Sequence, residues 1–264
     1  MRSNRPLKVA EPKKNEGIVS DLSHFLLILT PFLAFVFISD FWMWLLPFIA
    51  MLVIYQWRLG GRFRAEAVFW GIFSLLVIFR VTWPLMFVLP IFVGAVLHFY
   101  ALKKYRFMSW ATWGKPTKKS LSTAAAICFL SSLGLLVWFY TVNPDVSGIT
   151  KLLPEKMSIV AFIGFSILFS LANAIWEEFL LKGFTWSSLS LVCASPVKIN
   201  LIQSFLFGLV HYQGFPSGLS GVILASIYGY MLGILRQRSD GMGELILTHF
   251  VADMIICILV FTQI

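Results

Sequence analysis

The chain has 264 residues, 59% of them hydrophobic, 16% aromatic and only 12% charged, where soluble domains run at roughly 45–50% apolar and 25% charged. An ordinary water-soluble domain is therefore excluded, and apolar runs recurring from Leu22 to Phe261 make lipid the solvent for most of the chain. The formal net charge of +9 suits nucleic acid or the anionic face of a bilayer equally well, and the position of the charges has to separate the two.

The runs are continuous rather than alternating, which excludes a transmembrane barrel and leaves helices as the spanning element. Residues 1–21 carry Arg2, Arg5, Lys8, Lys13 and Lys14 and no apolar run, so they read as a cytosolic tail. The run Leu22–Ile38 has no small-residue cleavage pattern after it and reads as a retained anchor. Length and breakers then predict an all-α, polytopic protein with eight or nine transmembrane helices. The spans fall at about 22–38, 41–57, 65–79, 83–100, 121–141, 157–181, 198–212, 219–235 and 245–262. Residues 22–264 form a single transmembrane domain on this reading. Pro31, Pro47, Pro84 and Pro90 fall inside spans, and Pro116, Pro144, Pro154, Pro196 and Pro216 between them.

With the amino terminus in the cytosol, 18 of the 21 Lys and Arg fall on that side and only Arg80, Lys151 and Lys156 on the other. The positive-inside rule selects this orientation. The charge is topological, so no nucleic acid is expected as a partner. Trp110 and Trp113, in the basic segment 101–119, suggest a stretch lying along the cytosolic surface. Cys128, Cys193 and Cys257 are scattered through apolar sequence and form neither a disulfide framework nor a metal motif.

Ionisable groups inside spans are costly and mark function. Among the acids, Glu177, Glu178 and Asp253 interrupt apolar sequence, and the others fall in the tail, loops or span ends. His24 opens the first span and His98 closes the fourth, where a ring reaches interfacial water and has a structural use. His211 and His249 share the last third of the chain with the three acids. The segment 172–190, ANAIWEEFLLKGFTWSSLS, contains no proline and reads as one helix. On it Glu178 and Lys182 stand four apart, acid first, the favourable order for a structural ion pair, while Glu177 points about 100° away. In SFLFGLVHY (204–212), Phe207 and His211 lie one turn apart, as do His249 and Asp253 in LTHFVAD (247–253). An antiparallel hairpin turning at 193–196 would bring Glu177 and His211 to similar depth, with the site opening to the cytosolic side.

These three motifs resemble those of the CPBP intramembrane protease family, also called the Abi or type II CAAX prenyl endopeptidase family. Its pattern is Glu-Glu-x-x-x-Arg, Phe-x-x-x-His and His-x-x-x-Asn or Asp on separate membrane helices. Here these stand as Glu177-Glu178-Phe-Leu-Leu-Lys182, Phe207-Gly-Leu-Val-His211 and His249-Phe-Val-Ala-Asp253, which puts the catalytic core at 157–264. Lys182 departs from the usual Arg, keeping its charge but losing the bidentate fork. Asp253 takes the acid of the Asn/Asp alternatives, and an ionised Asp cannot donate to an oxyanion.

The resemblance implies an intramembrane endopeptidase acting on a membrane-associated or lipidated peptide. Glu177 would be the general base that activates water, His211 would help hold it, and His249 with Asp253 would stabilise the oxyanion. No cofactor is expected. Glu177, His211, His249 and Asp253 are also competent zinc ligands, so a zinc-dependent hydrolase is the alternative, although the H-E-x-x-H signature is absent. Two further readings are a non-catalytic immunity or scaffold protein of the same fold and a proton-coupled transporter. The expected partners are membrane lipid and the peptide substrate.

Overall fold

The computed structural model describes residues 17–37, 40–82, 85–101, 108–147 and 157–263. Most of the basic tail, Pro84, Lys103, Lys151 and Lys156 lie outside the described residues. Among the described residues, helices occupy all nine places read from the hydropathy. They are α1 (Ile18–Val36), α2 (Leu46–Leu59), α3 (Gly61–Ile78), α4 (Leu85–Val96), α5 (Lys118–Val142), α6 (Ile159–Glu178), α7 (Pro196–Val210), α8 (Gly218–Arg238) and α9 (Gly243–Phe261). The protein is an all-helical, polytopic membrane protein, with no strand among the described residues.

Among the described residues, five helical stretches, Ile18–Val36, Lys118–Val142, Ile159–Leu189, Gly218–Arg238 and Gly243–Phe261, are long and apolar enough to cross a bilayer. The apolar stretches Met43–Leu59, Val88–Phe99 and Pro196–Val210 are shorter, and at about 1.5 Å per residue they fall short of a hydrocarbon core of roughly 30 Å. α3 has the length but carries Arg62, Arg64 and Glu66 in its first turns. Pro47 does not interrupt α2; it stands in its first turn, where a missing N–H costs nothing. Pro31 and Pro90 do lie inside α1 and α4.

Local chemistry sets the boundaries. Thr117 caps α5 in a reciprocal box with Ser120, and Asn143 closes that helix in the left-handed conformation at φ 48°. Ser158 caps α6, and Ser195, followed by Pro196, caps α7. Beyond Glu178 the helix does not continue as an α-helix. Phe179–Thr185 is wound as a π-helix and Trp186–Leu189 returns to α.

The chain divides into two compact units. The first comprises the chain up to Ser109 together with Leu180–Ser226. Here α1, α2 and α3 pack on one another, α4 packs on α3 and α7 on α1. An aromatic core joins Phe32, Phe69, Trp70 and Phe73, and Phe69 stacks on Phe184 with centroids 4.1 Å apart. Gly94 lies so close to the Phe184 ring that a Cβ there would run into it.

The same unit buries a polar network around Glu66, which the hydropathy placed at a span end but which is fully buried. Arg62 Nε donates to Oε1 at 3.2 Å, Trp70 Nε1 to Oε2 at 3.2 Å, and Ser188 Oγ also donates to Oε2. Arg62 reaches the Ser187 carbonyl at 3.3 Å and its hydroxyl at 2.5 Å. His24 does not open onto interfacial water: it is completely buried, its Nε2 3.3 Å from the Ser188 carbonyl and its ring edge-on to Phe63. His98 Nδ1 accepts from the Met108 amide at 3.1 Å.

The second unit comprises Trp110–Phe179 and Ile227–Ile264. Within it α9 packs on both α5 and α6. Ile127, Leu232, Leu235 and Leu245 form its core, with Ala124, Tyr228 and Met231 against them, and Phe162 stacks on Phe261. Trp110 is buried, edge-on to Phe179, while Trp113 is exposed. The segment 112–114 crosses the loop before α9 backbone to backbone. The Thr112 carbonyl accepts from Met242 N at 2.7 Å and that of Trp113 from Gly243 N at 3.0 Å. Glycine is required at the crossing, because a Cβ on Gly241 would collide with the backbone of Thr112, Trp113 and Gly114. The outward faces of these helices are themselves apolar, with Phe129, Leu133, Val137, Val160 and Leu168 exposed, as a lipid-facing surface should be.

Candidate active site

Glu177 and Glu178 end α6, and His249 and Asp253 lie one turn apart in α9, the helix packed against it. The structure brings all four together within the second unit. His249 is buried, and its Nδ1 donates to Glu178 Oε1 at 2.8 Å. A carboxylate can only accept, so Nδ1 carries a hydrogen and Nε2 is the nitrogen that meets the remaining acids. Nε2 lies 3.7 Å from Glu177 Oε2 and 3.6 Å from Asp253 Oδ1. Both separations exceed a direct hydrogen bond, though the electrostatic coupling across them is strong in a low-dielectric surrounding.

The two neighbouring glutamates differ in surroundings. The Glu178 side chain is 0% exposed and that of Glu177 14% exposed. The nearer carboxylate to the imidazole is thus Glu178, a partner that the four-residue spacing to Lys182 did not suggest. Asp253, set beside His249 by the resemblance, stands farther off on the opposite side of the ring.

Three more residues complete this group, none of which the sequence motifs single out. Asn173 Nδ2 donates to Asp253 Oδ2 at 3.1 Å, and Trp176 Nε1 donates to Asn173 Oδ1 at 3.0 Å. Tyr228 sets its ring edge-on to His249 at 5.6 Å and donates its hydroxyl to the Thr248 carbonyl at 3.3 Å. Asn173 is not ionisable, and a reading confined to ionisable intrusions passes over it. An amide inside an apolar helix is a polar intrusion too, and its place one turn before Glu177 puts it on the same face.

The remaining motif residues belong to the first unit. Lys182 falls in the π-wound segment and is completely buried, with Nζ 4.9 Å above the Phe207 ring. The same phenyl ring also meets His211, centroids 4.7 Å apart. His211 stands at the carboxyl end of α7, where Nδ1 donates to the Phe207 carbonyl at 2.9 Å. That bond makes Nε2 the lone-pair nitrogen of the neutral ring. The spacing Phe-x-x-x-His therefore has a local cause: the phenylalanine supplies both the carbonyl and the ring against which the histidine is set. The four-residue argument for Glu178 and Lys182 assumed α-helical winding, whereas the residues from Phe179 follow i→i+5 geometry, a winding that recurs at functional sites.

Among the described residues, no three His, Cys, Asp or Glu side chains are arranged to hold a metal ion. No curated protein and no solved structure matches the chain. Residues 159–255 match the family model described as type II CAAX prenyl endopeptidase Rce1-like. That segment contains Glu177, Glu178, Lys182, Phe207, His211, His249 and Asp253. By this match, residues 159–255 are similar to the type II CAAX prenyl endopeptidase Rce1-like family, the one that the three motifs resemble.

Proposed function

We propose that the protein is an intramembrane endopeptidase that hydrolyses a peptide bond of a membrane-associated or lipidated peptide with water activated by Glu177. The observation that carries this reading is the buried His249 ring, held through Nδ1 by Glu178 with Nε2 turned to Glu177 and Asp253. Glu177, the less buried acid of the pair, takes a proton from water as the oxygen bonds to the carbonyl carbon. The oxyanion that forms is stabilised by the Nε2–H of His249 in its imidazolium form, the Nδ1–H being already held by Glu178. As the carbon–nitrogen bond breaks, Glu177 returns the proton to the leaving amine. The resemblance assigns His211 to holding the water, and Lys182 and Phe207 support that histidine's surroundings. Asp253 sets the electrostatics beside Nε2. The charge split of the loops supports a site opening towards the cytosol.

The test is hydrolysis of a fluorogenic prenylated peptide by the purified, liposome-reconstituted protein. Glu177→Gln keeps size but cannot take the proton, so turnover should drop roughly 100-fold to 10,000-fold, the range of general-base catalysis. His211→Ala and His249→Ala should be comparably inactive. Full activity in folded Glu177→Gln removes the proposed base. Absence of hydrolysis by the unaltered protein, on this and on non-prenylated peptides, favours the scaffold reading.

A further inference from the structure

The hydrogen-bond roles around Asn173 can be settled from chemistry alone. An indole N–H only donates, so the atom of Asn173 facing Trp176 Nε1 is the amide oxygen. The amide nitrogen consequently faces Asp253 and donates to Oδ2. A proton on Oδ2 would set two donors against each other, so Oδ2 is an acceptor. The other oxygen, Oδ1, is the one turned to His249 Nε2. All three side chains are buried, and each is carried by α6 or α9.

We infer that Trp176 and Asn173 form a polarity lock on residue 253: they demand an acceptor on one side of it and so decide which atom it presents to the catalytic imidazole. Asn173 is in this sense a positioning residue, acting through Asp253, and the assignment rests on the hydrolase reading above for its catalytic consequence. With Asp at 253 an oxygen faces His249. With Asn at 253 the lock turns the carbonyl oxygen to Asn173 and the NH2 to His249. The lock thus explains how a single site can present either an acceptor or a donor beside the imidazole without any rearrangement of its surroundings.

The inference is tested by exchanging the two groups. Asn173→Asp alone places two carboxylates face to face and should lower kcat roughly 100-fold, the scale of losing one oriented group at a transition-state site, with KM little changed. Asp253→Asn alone should fold and turn its NH2 to His249. The double exchange, Asn173→Asp with Asp253→Asn, reinstates a donor–acceptor pair in the reverse sense. Trp176 still donates to the side chain at position 173, the amide introduced at 253 donates its NH2 to the carboxylate introduced at 173, and an oxygen again faces His249.

Histidine-selective ¹⁵N NMR of the protein in micelles resolves the outcome, since the chain has four histidines. The His249 Nε2 resonance should shift in Asp253→Asn and return towards its original position in the double exchange. If Asn173→Asp fails to fold, recovery of a folded, resonance-restored protein by the second substitution supports the lock, and no recovery overturns it. Unchanged kcat and unchanged His249 resonances in a folded Asn173→Ala variant also overturn it. Should the unaltered protein hydrolyse no peptide, the hydrolase reading fails, while the NMR comparison still decides the lock.

Discussion

Glu66 offers the sharpest stability test in the molecule. It is fully buried on α3 and accepts from Arg62, Trp70 and Ser188, the last of these 122 residues away along the chain. Glu66→Ala removes the carboxylate from all three donors. Breaking one side of a buried ion pair costs about 3–5 kcal/mol. Two features of the site pull the figure towards the lower end. Arg62 keeps its bonds to Ser187 and some exposure to solvent, and Trp70 Nε1 keeps Ser188 Oγ at 2.9 Å. The expected loss is therefore about 3 kcal/mol. Glu66→Gln retains the shape and loses the charge, and should cost about 1.5–3 kcal/mol, the worth of a hydrogen bond to a charged group. Reversible unfolding in mixed micelles, followed by tryptophan fluorescence, measures both, and Ser188→Ala on each background reports the coupling. A Glu66→Ala protein within about 0.5 kcal/mol of the unaltered one, the range of a surface change, would refute the claim that this carboxylate organises the first unit.

Lys182→Ala should destabilise by about 2 kcal/mol or more through loss of the desolvated contact over Phe207, read by the same unfolding assay. Gly241→Val should cost about 1–3 kcal/mol by forcing apart the crossing backbones of 112–114 and 241, and lower thermal stability accordingly. Cysteines introduced at Lys115 and Asp240 should be labelled by impermeant reagents from the cytosolic side only; labelling from the opposite side reverses the proposed topology. Hydrolysis should withstand strong chelators, and inactivation reversed by added zinc would move the mechanism to the metal-dependent alternative.

Sequence and structure agree best where hydrophobicity alone decides. Among the described residues, nine helices stand where nine apolar runs were read, because in lipid a backbone run of that kind has no other way to satisfy its hydrogen bonds. The lengths of α2 and α4 were not readable to the same degree. Pro47 moves the start of α2 inward, whereas Ser195 with Pro196 starts α7 just before the position read from hydropathy, at unchanged length. The π winding after Glu178 leaves no composition mark, since it depends on how a helix is held and not on which residues it contains. The pairing of Glu66 with Ser188 was equally hidden: an Arg62-x-x-x-Glu66 spacing at the head of a span looks like a solvated edge until a distant serine closes over it. In the candidate site, residue types and spacing pointed to Glu177, His249 and Asp253. They did not reveal that Glu178 would meet the imidazole, because a four-residue step to a lysine offered a nearer partner.

The backbone crossing before α9 bears on how the candidate site keeps its geometry in bilayers of unequal thickness. Membrane helices accommodate mismatch by tilting or sliding. The first turn of α9 is instead tied to the carbonyls of Thr112 and Trp113, and Glu244 in that turn accepts from Ser120 Oγ at 2.5 Å in α5. His249 follows Gly243 by six residues, about 9 Å along the axis. A slip of one residue would carry the ring about 1.5 Å along that axis and turn it roughly 100° from Glu178. Because the first turn is fastened to protein, the depth of the imidazole is measured from the loop and not from the lipid. The geometry of the candidate site should accordingly hold as acyl chains lengthen or shorten, while the exposed apolar faces of α5 and α6 absorb the difference.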